Sequence, residues 1–178
     1  LLTGWHLLGN YWRESRRTRL VTSRFGQYVP PELVTEMVRA DYQVSLDGEE
    51  REMTVLFSDI RGFTAFSEKV SPSRLSEVMN RLLTPLTQAI HQQQGTIDKY
   101  MGDAVMAFWG APLPDKDHAH HALQAAFAMQ TALTGINREF VAEGLPALAM
   151  GVGVHTGVMN VGNMGSAFRM AYTVLGDN

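Results

Sequence analysis

Two aspartates, Asp59 and Asp103, have the most evident chemical use in this 178-residue chain. Asp59 stands near the end of a short apolar run, Met53–Ile60, of a length suited to a buried strand. Asp103 opens a second run, Ala104–Trp109. If the two runs pair as antiparallel neighbours, the end of one lies beside the start of the other and the carboxylates converge. Two bare carboxylates at close range repel each other unless a cation sits between them. Oxygen donors favour hard ions such as Mg²⁺ or Mn²⁺, and a site with two protein carboxylates commonly completes its coordination with substrate phosphates. A second reading stands beside this one on spacing alone, in which both aspartates cap turns. Gly62-Phe63-Thr64 follows Asp59 directly and leads towards a helix. Successive backbone N–H groups in such a turn form an anion-binding nest that a triphosphate would fit. The Thr64 hydroxyl has the alternative role of a helix cap.

The elements that must position these groups follow from hydrophobic spacing. Leu75, Val78, Met79, Leu82, Leu83, Leu86 and Ile90 recur at the interval of one helical face. Pro85 lies inside that helix, at a cost of ~3 kcal/mol or a kink, and Gly95 is expected to end it. Thr96–Lys99 and Ala104–Trp109 read as strands joined by Tyr100-Met101-Gly102-Asp103. Asp117 is a candidate cap for a second helix, whose buried face is Ala122, Ala126, Met129, Leu133, Ile136 and Phe140. Leu148–Val154 reads as a strand, the Gly-rich piece Gly157–Gly165 as a loop or hairpin, and Met170–Leu175 as a further strand. The order strand, helix, strand, strand, helix, strand is that of an α+β, ferredoxin-like (βαββαβ) antiparallel sheet with helices on one face. In that order the strands of Asp59 and Asp103 are adjacent.

Composition limits the remaining possibilities. Hydrophobic residues at 45% and charged residues at 19% suit a packed core. A net charge of -3 offers no global reason to bind nucleic acid. With zero cysteines, disulfides and thiolate zinc sites are excluded, as a reducing cytosol would allow. The segment 1–12 is apolar and aromatic and is followed by Arg13, Arg16, Arg17 and Arg19. It is shorter than the ~20 residues of a spanning helix, but aromatics followed by arginines match the cytoplasmic end of one. A soluble amphipathic helix or a stub is the other reading. Residues 13–45 are expected to form a helical connector, broken at Pro30-Pro31, and 46–178 the main domain. With a membrane segment upstream, that domain would lie on the cytoplasmic face.

Three segments carry a family resemblance: Phe57-Ser58-Asp59-Ile60-Arg61-Gly62-Phe63-Thr64, Lys99-Tyr100-Met101-Gly102-Asp103-Ala104 and Leu175-Gly176-Asp177. In order and spacing they resemble the signature segments of class III adenylate and guanylate cyclases, over roughly Arg51 to Asn178. The resemblance implies that Asp59 and Asp103 bind two Mg²⁺ or Mn²⁺ ions, with the Ile60 carbonyl as an added ligand. It implies that Gly62, Phe63 and Thr64 form the phosphate turn, and that Lys99 and Thr173 contact the base. Lys is a pure donor and suits adenine N1, whereas guanine carries N1–H there; guanylate cyclases typically place an acidic residue at the lysine position. The implied activity is conversion of ATP to 3′,5′-cyclic AMP and pyrophosphate at a homodimer interface, coupled to an upstream membrane or sensor domain. One subfamily with Thr at the second base position raises a response to bicarbonate.

In the family an Asn that orients the ribose and an Arg that stabilises the transition state follow the Leu-Gly-Asp segment. The sequence ends at Asn178, before either, so little or no turnover is expected of these residues alone. A guanylate cyclase, or a silent nucleotide-binding or dimerisation module, is the alternative; the Gly-Gly-acidic-acidic signature of diguanylate cyclases is absent. His118, His120 and His121 read as structural or surface residues, with no acidic ligand placed to complete a metal site. His155 reads as packed, the ten methionines as adaptable core, and Arg61 and Arg169 as solvated. Val158–Val161 and Met170–Val174 are candidates for an arm that reaches a partner.

Overall fold

A computed structural model describes residues 48–166 and 169–176. The expected membrane-helix end at 1–12, the connector at 13–45, and Asp177 and Asn178 lie outside the described residues, as does the side chain of Arg169. Among the described residues no helix is long and apolar enough to cross a membrane.

The chain runs β1 (Glu49–Arg61), α1 (Phe63–Ser67), α2 (Pro72–Gln92), β2 (Thr96–Met101), β3 (Ala104–Trp109), α3 (His118–Ala142), β4 (Ala149–Ser166) and β5 (Arg169–Leu175). The five strands form one sheet in the order β2-β3-β1-β4-β5, every neighbouring pair antiparallel. The first four strands and two long helices have the expected ferredoxin-like order, and β5 extends it at the β4 edge.

Alternation along β1 sets the two faces of the sheet. Leu56 and Ile60 join Val105, Ala107 and Trp109 of β3 under the helices, with Val78, Leu82, Leu86 and Ile90 of α2 and Met129, Leu133 and Phe140 of α3. The opposite face of β1 carries Met53 and Val55, which pack with Met106, Phe108, Met159, Val161, Tyr172 and Val174. That second cluster draws on both halves of the β4–β5 hairpin. The sheet therefore curls on the side away from the helices, and β5 approaches β2 although the two stand at opposite ends of the strand order.

Several boundaries differ from those expected from sequence. β1 begins at Glu49, four residues before its apolar run, because Glu49–Arg61 pairs without a break with Val161–Ala149 of β4. The same pairing turns the Gly-rich piece into strand, so β4 runs through Gly157, Gly162 and Gly165, and its outer part, Asn160–Ser166, pairs with β5. Ladder hydrogen bonds and cross-strand packing override the weak strand preference of glycine there.

The α2 helix begins at Pro72 with Ser71 as its cap, the Ser71 hydroxyl accepting from the Arg74 N–H. It continues through Pro85 to Gln92. Its stop is not a left-handed glycine: Gln94 takes that conformation, at φ 62°. Gly95 serves a different need, since a Cβ on it would lie 2.6 Å from both Ile90 Cγ2 and the Trp109 ring. Asp117 sits at the N-terminus of α3 without a side-chain capping bond. Asp115 acts instead, accepting from the Asp117 N–H at 2.9 Å and pairing with His121 Nδ1 at 2.7 Å. Ala125 rather than Ala126 lies on the buried stripe of α3.

Candidate active site

The Asp59–Asp103 pair arises from sheet register. Ser58 of β1 faces Val105 of β3, so the next residues outward bring Asp59 and Ile60 against the β2–β3 turn. That turn is tighter than expected: Met101 pairs with Ala104, which leaves only Gly102 and Asp103 between the strands. Gly102 has φ +67°, a conformation that glycine adopts without strain. The Asp103 Oδ2 accepts the Ile60 backbone N–H at 3.0 Å, which anchors the turn to the end of β1. Asp59 is on the opposite face of β1 from Ile60, the same face as Phe57, and is exposed. Burial, the largest cause, pushes the Asp103 carboxyl above its ordinary value. The backbone N–H groups of Ile60 and of Asp103 itself oppose the rise, and the neighbouring Asp59 carboxylate adds to it. The Asp103 carboxyl thus lies close enough to Asp59 to feel its charge. Among the described residues no three His, Asp or Glu side chains gather into a metal cage. A metal here would need backbone and substrate oxygens besides the two carboxylates, the donor set hard divalent ions accept.

Gly62 precedes α1 in the left-handed conformation, at φ 70°, and its carbonyl accepts the Phe66 N–H at 3.1 Å. Phe63 and Thr64 form the first turn of α1, where backbone N–H groups have no acceptor within the helix. Thr64 lies within that turn rather than at its cap; its carbonyl accepts from the Ser67 hydroxyl at 2.8 Å. The turn follows Asp59 by three residues, so the carboxylate pair and the expected phosphate turn share one end of β1.

Lys99 and Thr173 belong to the two edge strands, and the curl of the sheet brings them to one carboxylate. Asp98 Oδ2 accepts the Thr173 hydroxyl at 2.5 Å, and Asp98 Oδ1 lies 3.4 Å from Lys99 Nζ. The Asp98 side chain is 1% exposed and that of Lys99 47%. Sequence reading missed Asp98. It is the residue left without a partner where the β2–β3 register shifts between Ile97 and Lys99, a β-bulge. Its position before Lys99 was visible, but a bulge depends on the pairing of two strands.

His118 and His121 are structural in geometry, and His120 is exposed. His118 Nδ1 bonds the buried Thr54 hydroxyl at 2.7 Å, and Thr54 bonds Thr156 at 2.7 Å. An acidic partner does stand beside His121, namely Asp115, and it serves the start of α3. His155 lies in mid-strand and exposed, not packed at a strand end, because β4 extends past it in continuous pairing. Arg61 is exposed at the end of β1.

Comparison with known proteins gives this geometry its family context. The adenylate and guanylate cyclase catalytic domain family matches residues 47–178. Adenylate cyclase 1 of Rhizobium meliloti is 34% identical over 161 residues, 90% of this chain and 24% of the relative. The adenylate cyclase of Anabaena cylindrica is 40% identical over 131 residues, 71% of this chain and 25% of the relative. The chain thus spans about a quarter of the length of these curated relatives. Among solved structures, the guanylyl cyclase Cya2 superposes with a TM-score of 0.69 at 40% identity, covering 72% of this chain and 66% of that one. The adenylyl cyclase CyaB from P. aeruginosa superposes at 0.70 with 36% identity, covering 74% of this chain and 68% of that one. A five-stranded antiparallel sheet with helices on one face, its signature carboxylates converging at one end of β1, is therefore the fold of a known family: the chain belongs to the class III adenylate and guanylate cyclases and carries their catalytic domain.

Proposed function

We propose that the protein is an adenylate cyclase that converts ATP to 3′,5′-cyclic AMP and pyrophosphate with two divalent ions per site. The observation that carries this reading is the pairing of two residue groups. Asp59 and Asp103 converge at the end of β1, and Lys99 and Thr173 meet at Asp98. The relatives include cyclases of both nucleotides, so base choice rests on this chain's own residues. The Lys99 ammonium can only donate, which suits the N1 lone pair of adenine and opposes the N1–H of guanine.

Asp59, Asp103 and the Ile60 carbonyl would hold Mg²⁺ or Mn²⁺; the convergence of two mutually repelling carboxylates fits that occupant. When bound, the ions supply Lewis-acid stabilisation of phosphoryl charge and acidify the ribose 3′-OH. The Gly62-Phe63-Thr64 turn presents N–H groups to the triphosphate. Lys99 and Thr173 fix the base and hence the ribose, so that the 3′-OH faces the α-phosphorus and attack is intramolecular.

A homodimer is part of the proposal, with Asp59, Asp103 and the phosphate turn from one protomer and Lys99 and Thr173 from the other. Exposed apolar side chains support it: Phe57 on the same face as Asp59, Tyr100 and Met101 beside the β2–β3 turn, and, farther along the sheet, Val158 and Leu175 on the β4–β5 hairpin. That hairpin would be the arm that reaches the partner. An upstream sensor or membrane domain would act on this dimer from the cytoplasmic side.

The test is turnover by the full-length protein with Mn²⁺ and either ATP or GTP, with products separated by chromatography. Cyclic AMP formed at least tenfold more efficiently than cyclic GMP supports the reading. A preference for GTP makes the protein a guanylate cyclase, and nucleotide binding without product from either makes it a silent module.

A further inference from the structure

Thr173 by itself does not choose a base. A hydroxyl donates one hydrogen bond and accepts two. It can therefore accept from the amino group on adenine C6 or donate to the oxygen on guanine C6, the two bases being opposite in polarity there. In this structure the choice has been made elsewhere. The Thr173 hydroxyl donates to Asp98 Oδ2. An ionised carboxylate has no hydrogen to give in return, so the Thr173 hydrogen is committed and its oxygen is left with lone pairs only.

The setting of Asp98 points the same way. Its side chain is 1% exposed, yet among the described residues Oδ1 accepts no hydrogen bond and has only the Lys99 ammonium at 3.4 Å. A buried carboxylate is costly to desolvate, and an apolar or amide side chain would be cheaper for folding alone. The β-bulge leaves Asp98 without a strand partner, immediately before Lys99, the kind of irregularity that re-aims side chains next to functional sites. Asp98 thus contacts two groups at once: the donor Lys99 and the ambivalent Thr173.

We propose that Asp98 is a specificity-positioning residue that takes the hydrogen of the Thr173 hydroxyl and so makes it an obligate acceptor for the exocyclic amino group of adenine. This rests on the assignment of ATP as substrate and of Lys99 and Thr173 to the base. The Lys99 ammonium and the Thr173 oxygen then form a donor–acceptor pair complementary to the N1 and C6 positions of adenine. Against guanine both positions are mismatched, and such buried mismatches carry most of the discrimination between similar substrates.

The substitution Asp98→Asn keeps size and changes polarity. The Lys99 ammonium holds the amide oxygen, which turns the amide NH₂ towards Thr173. The Thr173 hydroxyl must then accept, and its hydrogen becomes free for the guanine oxygen. The double variant Asp98→Asn, Thr173→Asp restores an acceptor that needs no partner to fix it.

The experiment is competition by ATP, GTP and purine riboside triphosphate against a fluorescent ATP analogue on the full-length protein with Mn²⁺. Purine riboside triphosphate lacks only the exocyclic amino group of ATP. The native protein is expected to bind ATP at least about tenfold more tightly than purine riboside triphosphate. That factor should shrink to within about twofold in D98N, with GTP binding improved, and return in D98N/T173D. The first comparison needs no variant, so it stands even if D98N fails to fold. Equal binding of ATP and purine riboside triphosphate by the native protein overturns the proposal. So does a D98N variant, folded by circular dichroism, that keeps the native ratio. Tighter binding of GTP than ATP by the native protein removes the substrate assignment itself, a result distinct from either.

Discussion

Replacing Gly95 by alanine tests how the helix layer positions the strand that carries Asp98 and Lys99. Gly95 joins the end of α2 to β2, and its φ is not in the left-handed region, so space rather than backbone conformation sets the cost. An added methyl would lie 2.6 Å from Ile90 Cγ2 and 2.6 and 2.7 Å from two atoms of the Trp109 ring, where ordinary contact begins at 3.4 Å. Ile90 and Trp109 are fully buried, and the Trp109 indole N–H is tied to the Gln93 carbonyl at 2.8 Å. The ring cannot retreat without loosening that bond. Overpacking of this kind costs ~1–3 kcal/mol, and weakening one hydrogen bond adds about 1 kcal/mol. The reduced chain entropy of alanine in the unfolded state returns roughly 0.4–1 kcal/mol. The expected net loss is about 1–3.5 kcal/mol, read from urea unfolding followed by far-ultraviolet circular dichroism. In a Trp109→Phe background, where the smaller ring leaves room, the same substitution should cost at least about 1 kcal/mol less. A G95A variant within about 0.5 kcal/mol of the native protein, or an unchanged cost in the Trp109→Phe background, refutes the close-approach explanation.

Three further outcomes follow from particular residues. The Asp103 carboxyl is pushed above its unfolded value, chiefly by burial, so in the metal-free protein the native state holds that proton more tightly than the unfolded chain does. This contribution to stability grows as pH falls through the raised pKa and is lost above it, and Mn²⁺ must displace the same proton. Calorimetric titration should show Mn²⁺ affinity falling as pH is lowered towards the ~4 of a free aspartate, with proton release on binding; affinity flat across that window contradicts it. Gly102→Ala meets no atom within 4 Å but must adopt φ +67°, which costs ~1–2 kcal/mol. Gly135→Ala has equal space inside α3 and should stabilise by ~0.5–1 kcal/mol; thermal melts of the two give opposite signs if backbone conformation decides. Thr54→Val leaves His118 Nδ1 and the Thr156 hydroxyl without their shared partner, an expected loss of ~1–3 kcal/mol in denaturant unfolding, with under about 0.5 kcal/mol as the contrary result.

The convergence of Asp59 and Asp103 was legible because it needs only the order of strands: in a βαββαβ sheet the first and third strands are neighbours whatever their exact ends. The helical faces were legible for a similar reason, since a period of three or four survives errors of a residue at the boundaries, as Ala125 in place of Ala126 shows. What could not be read depended on pairing between distant segments. The glycines of 157–165 signal a loop locally, yet pairing with β1 and β5 makes them strand. Asp98 looks like any polar residue beside a lysine until the β2–β3 register shift and the approach of β5 give it Thr173 as a partner. Gly95 suggested a helix stop, but the left-handed residue is Gln94 and the glycine answers to the Trp109 ring. In each case local preference was outweighed by a contact across the fold.

The most direct test of the two-metal reading is anomalous diffraction at the manganese edge from crystals of the full-length protein with Mn²⁺ and a non-hydrolysable ATP analogue. The expected result is two manganese peaks between the Asp59 and Asp103 carboxylates, each also bound by triphosphate oxygens. Manganese found only at other residues, or triphosphate oxygens bound without metal at this carboxylate pair, would contradict it.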